Sequence, residues 1–142
     1  MLAELMALHS EIEGQLEALD VLTARIEPPK IAELSNVRLA LTRASRARFQ
    51  LLQLQGYAAA MRHADPAQRA TIERMRSDGI ALIGRSASHI GCWTPIEVGQ
   101  RWPAYCEASA KMRQSMRERI AFERVLLVPL LRREAPLQRN AA

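Results

Sequence analysis

Apolar residues return along this chain at steps of three and four. In the first stretch they fall at Leu5, Ile12, Leu16, Leu19, Leu22 and Ile26, with His9 in the same stripe. That is the period of one face of an α-helix. It predicts a helix over about 2–27, stopped by Pro28 and Pro29. A second helix is predicted over about 30–62. Its stripe is Leu34, Val37, Leu41, Ala44, Leu51 and Leu52, and Arg48 falls between them on the inner face.

The third helix opens on the sequence DPAQ, with Asp65 as N-cap and Pro66 at the first helical position. Ile72, Met75, Leu82, Ser86 and His89 form its stripe, and it ends near the sequence HIGCW. In the connection that follows, TPIE is a capping-box pattern led by Thr94 and Pro95, predicting a short helical turn. Pro103 then opens a fourth helix predicted to reach about Leu131, with Pro129 distorting or ending it. Its stripe carries Met112, Met116, Leu126 and Leu130, together with Arg119 and Glu123.

Each segment has one apolar face and one charged face, as a helix packed on other helices requires. The predicted fold is all-α, an antiparallel up-down-up-down four-helix bundle over residues 1–131. Residues 132–142 have little to bury and are expected to form a flexible tail. The chain has 142 residues, which favours one domain. Only 4% of its residues are aromatic, so Leu, Ile, Val, Met and Ala must build the core.

The net charge of +5 comes almost wholly from arginine, since Lys30 and Lys111 are the only lysines. The arginines alternate with acids, as in MRERIAFER, and form no dense basic run. That argues against nucleic acid and for solvated helix faces. The first residues are amphipathic and acidic, unlike a signal peptide. No segment nears 18 continuous apolar residues, so no membrane span is expected. A cytoplasmic location is the default, with Cys92 and Cys106 as reduced thiols filling structure. A zinc site or nucleophile built from His89, Cys92 and Cys106 is a weaker reading. His63, at the end of the second helix, is read as solvated. Trp93 and Trp102 are read as capping one end of the bundle.

Five polar residues remain in the predicted inner stripes: His9, Arg48, His89, Arg119 and Glu123. Buried charges are normally paired or bound to metal. At these positions the chain resembles the hemerythrin-like, HHE cation-binding family. The stretches LHSEIEGQLEAL, HIGCWTPIEVGQRWPAY and RIAFERVLLVPLL carry the resemblance, the last two being the most specific. The resemblance implies a two-iron site held by His and carboxylate side chains from all four helices. On it, His9 matches a first-helix ligand and His89 a third-helix ligand, and Glu123 keeps the fourth-helix carboxylate. Arg48 and Arg119 stand where the family offers His, Arg85 occupies the position one turn before His89, and Leu52 stands at a second-helix carboxylate position.

A guanidinium has no lone pair to give a metal. The favoured expectation is therefore that ion pairs replace the metal, with Arg119 and Arg48 both paired to Glu123. The alternative is a mononuclear metal site from His9, His89 and Glu123, iron being the expected metal. The expected function is a non-enzymatic binding or regulatory module without cofactor, whose partner is another protein or a second copy. An iron-holding oxygen or ligand sensor is the first alternative. A basic nucleic-acid-associated protein is the second.

Overall fold

The computed structural model describes the backbone of residues 1–141 and the side chains of residues 1–134. Among the described residues the chain is all helical, with no strand. The elements are α1 (Leu2–Thr23), α2 (Ile31–Leu51), a π-helical turn (Leu52–Gly56), α3 (Tyr57–Met61), α4 (Pro66–Cys92), α5 (Pro95–Gln100) and α6 (Trp102–Ala141). No helix is long and apolar enough to cross a membrane among these residues.

Both helix starts written in the sequence are made, the first as a full capping box and the second through its N-cap bond alone. Asp65 accepts from the backbone N–H of Gln68, and the Gln68 side chain accepts in return from the N–H of Asp65. Thr94 accepts from the N–H of Glu97 and starts α5.

Helix α1 ends at Thr23, earlier than its periodicity suggests. The Thr23 hydroxyl donates back to the carbonyl of Leu19 at 2.7 Å, a bond that competes with helix continuation. Ile26 consequently leaves the stripe and is 96% exposed. The segment after α1 is held by Trp102, whose indole N–H donates to the carbonyl of Arg25 at 3.0 Å.

The second helix contains the π-helical turn, which the sequence does not announce. Extending the spacing from Arg48 and Leu51 would put Gln55 on the inner face. The wider turn moves Gln55 to solvent and places Gly56 and Tyr57 inside. A Cβ on Gly56 would lie 2.7 Å from a Leu52 methyl, and Leu52 is itself buried.

Helix α6 runs through Pro129 instead of stopping there. Pro129 lies on the exposed face, so the carbonyl it leaves without a donor one turn earlier, on exposed Val125, is open to water. The boundary expected after Leu131 also moves: Glu134 is buried and paired with Arg62 and His63, just after α3. Beyond that, the expected flexible tail lies outside the residues whose side chains are described.

Two apolar clusters form the core. Leu5, Leu51, Leu52, Tyr57, Met75 and Leu127 belong to one. Ile12, Leu16, Leu41, Ala44, Tyr105 and Ile120 belong to the other. Each helix that supplies both clusters carries a polar residue at the level between them: His9 on α1, Arg48 on α2 and Glu123 on α6. A polar layer thus divides the apolar interior.

Helix α4 is fully buried only at positions in its first half. Ile72, Met75 and Gly79 are its buried residues. Leu82, Ser86 and His89, expected in the core, are half-buried along a cleft, and Ile80 and Ile90 are exposed.

Candidate functional site

Glu123 sits at the centre of the polar layer with no solvent exposure. One carboxylate oxygen accepts from His9 Nε2 at 2.9 Å. The other accepts from Arg119 Nε at 2.9 Å. The latter is the one-turn pair that helix geometry offers residues four apart. Arg48 approaches from α2, its Nη1 3.7 Å from the same oxygen, close enough for attraction but too long for a hydrogen bond.

The Arg119 guanidinium is also held on its far side. Nη2 donates to the Tyr57 hydroxyl at 2.9 Å and to the Met75 carbonyl at 2.7 Å. Gly79 makes room for it: a Cβ there would lie 3.0 Å from Nη2. The arrangement thus joins α1, α2, α3, α4 and α6 through one arginine–glutamate pair.

Burial alone would push the Glu123 carboxyl upward. The hydrogen bond from His9 and the charges of Arg48 and Arg119 overturn that and hold it below the usual carboxylate range. Glu123 is therefore an anion at neutral pH despite its burial. Burial raises the Tyr57 hydroxyl, with Arg119 opposing, and the ring stays a neutral phenol.

This donor set does not fit a two-iron centre. Both oxygens of the one carboxylate are engaged, and two of its three neighbours are guanidinium groups without a lone pair to give. His9 Nδ1 is buried without a partner among the described residues.

His89 does not join this site, which corrects the expected third-helix ligand. Met75 is the α4 residue level with Arg119, and His89 lies 14 residues further along, about 21 Å down the helix axis. Periodicity had fixed its face but not its height. Arg85 is displaced in the same direction. Nor is there, among the described residues, any group of three or more His, Cys, Asp or Glu that would hold a metal. His89 instead lies against Tyr105, with ring centroids 6.1 Å apart, and Tyr105 meets Trp93 and Trp102 at 5.6 and 5.7 Å. Burial and then the nearby Arg38 charge lower the His89 imidazole below its ordinary range. Leu52 lies in the apolar core.

Cys92 and Cys106 are both free thiols. Cys92 is exposed, so it fills no structure. Cys106 is half-buried and its thiol is pushed up by burial.

Two further charged clusters escaped the sequence reading. Asp20 takes Arg117 and Arg113 from α6, and Arg113 Nη1 also donates to the Thr23 hydroxyl at 2.7 Å. Glu134 takes Arg62 Nε at 3.2 Å and His63 Nε2 at 2.7 Å. His63 is accordingly paired rather than solvated. Their partners stand 71 or more residues apart, a separation that no local pattern signals. Comparison with family models, with curated proteins and with solved structures gives no match for this chain.

Proposed function

We propose that the chain is a hemerythrin-like, up-down-up-down four-helix bundle in which ion pairs have taken the place of a metal centre. In this reading it serves as a non-enzymatic binding or regulatory module, with a protein or a second copy as its partner. The observation that supports it is the layer around Glu123: a histidine and a carboxylate at family positions, closed by arginines at two others. Opposed contacts along α1 and α6 are consistent with the bundle. His9 meets Glu123, whereas Asp20 meets Arg113 and Arg117 further back on α6.

The test is elemental analysis of protein expressed with iron, manganese and zinc and purified without chelator or metal-affinity tag. Less than about a tenth of an equivalent in folded protein is expected. About one or two metal atoms per chain would overturn the reading.

A further inference from the structure

The second half of α4 leaves an open cleft against α2 and α6. Two adjoining hollows share Ser45, Ile83, Ser86, His89, Met112 and Met116. The larger has a volume of about 270 Å³. An apolar cavity of about 150 Å³ accommodates a benzene ring, so this space takes a small organic molecule.

Its charge is one-sided. Arg48, Arg85, Lys111 and Arg119 line the larger hollow and Arg38 and Arg46 the adjoining one, while none of the described residues lining either is acidic. Lys111 has an exposed carboxylate neighbour, Glu107, at 3.7 Å. Arg119 is held by Glu123, Tyr57 and Met75.

Arg48 is different. It is 8% exposed, yet its buried Nε and Nη1 have no hydrogen-bond acceptor among the described residues. Ser45 Oγ, one turn before it, and His89 Nε2 are likewise buried without a partner. Buried donors in native proteins nearly always find acceptors. Arg48, Ser45 and His89 all line the larger hollow, whose apolar walls are Leu82, Ile83, Met112 and Met116. Ligand sites have this composition: mostly apolar walls with a few convergent polar groups. A guanidinium favours a planar oxyanion.

We propose that this cleft binds a small amphipathic organic anion, a carboxylate carried on an apolar chain, with Arg48 and Ser45 taking the carboxylate and Leu82, Ile83, Met112 and Met116 the chain. The cleft shares Arg48 with the Glu123 layer, and metal analysis and ligand binding report on the two separately.

Calorimetric titration of the whole chain with octanoate tests it, with octanol and octylammonium as probes of the same length. Octanoate is expected to bind saturably at one site, about tenfold or more tighter than either control, as charge-assisted hydrogen bonds require. Two variants on α4, at exposed Arg85 and half-buried Ser86, spare the Glu123 layer. Arg85→Glu is expected to weaken octanoate about tenfold by placing a carboxylate in the cleft. Ser86→Trp is expected to abolish binding by filling it. Circular dichroism and melting temperature establish that both variants fold. Equal affinity for all three probes would overturn the proposal, since apolar partition alone would explain it. Unchanged affinity in the folded variants would also overturn it. So would absence of octanoate binding together with a dimer that Ser86→Trp disrupts, which would assign the cleft to a second copy of the chain.

Discussion

Two histidine–glutamate–arginine clusters use the same chemistry at different depths. Around Glu123, His9, Arg119 and the carboxylate are all buried. Around Glu134, His63 is partly covered and the Arg62 side chain is 58% exposed. In both, hydrogen bonds and opposite charge hold the carboxyl below its ordinary range, but only at Glu123 must they first overcome a dominant opposing effect of burial. The difference teaches that a charge pair's importance follows from what surrounds it. A buried carboxylate stripped of water depends wholly on its partners. Glu134 is itself covered, but its partner Arg62 stays in solvent, so that pair gives up less when it is broken.

The largest expected effect follows from breaking the deep cluster. Glu123→Ala leaves Arg119, Arg48 and His9 without their common acceptor, and a loss of about 3–5 kcal/mol is expected in urea unfolding. A loss below about 1 kcal/mol would mean that the layer is hydrated and the contrast in depth unimportant.

The next test uses pH. The Glu123 carboxyl is lowered in the folded protein, so the unfolded chain takes up that proton first. Its contribution is present above the ordinary value of 4.5 and is lost as pH falls from there through the lower folded value. Urea midpoints between pH 7 and pH 3 should fall more steeply for the wild type than for Glu123→Gln. Parallel curves would contradict a paired, ionised Glu123.

The smallest effect is expected at the shallow cluster. Glu134→Gln keeps the side-chain volume and removes the charge, and should move the melting temperature far less than Glu123→Ala. A shift as large as that of Glu123→Ala would erase the distinction between the two clusters.

Much of the fold was legible because helices advertise themselves locally. The stripe from Leu34 to Leu51, the Asp65–Pro66 start and the Thr94–Pro95 start all depend on residues a few places apart. The Arg119–Glu123 pair was legible for the same reason, and Arg48 for its place in the stripe. What escaped were matters of height and long-range partnership. His89 was assigned to a face without an axial level, so its distance from Glu123 did not show. Ile26 followed the period one turn beyond the point where Thr23 ends the helix. The Glu134 cluster joins positions remote in sequence, and its carboxylate lay past the predicted end of the bundle. The π-helical turn carries no composition that distinguishes it from an α-helix containing a glycine.

That turn also sets how the chain tolerates change in length. In an α-helix each residue advances about 100° around the axis, so one residue more or fewer rotates everything beyond it. The wide turn at Leu52–Gly56 absorbs one such step, which keeps Arg48 before it and Tyr57 after it on the same interior side. An in-frame loss of a single codon within it would leave the helix more regular and the protein less well assembled, because the Tyr57 hydroxyl would swing away from Arg119. Insertions elsewhere in the helix would do comparable damage for the opposite reason. The least regular turn in the molecule is what keeps its phase.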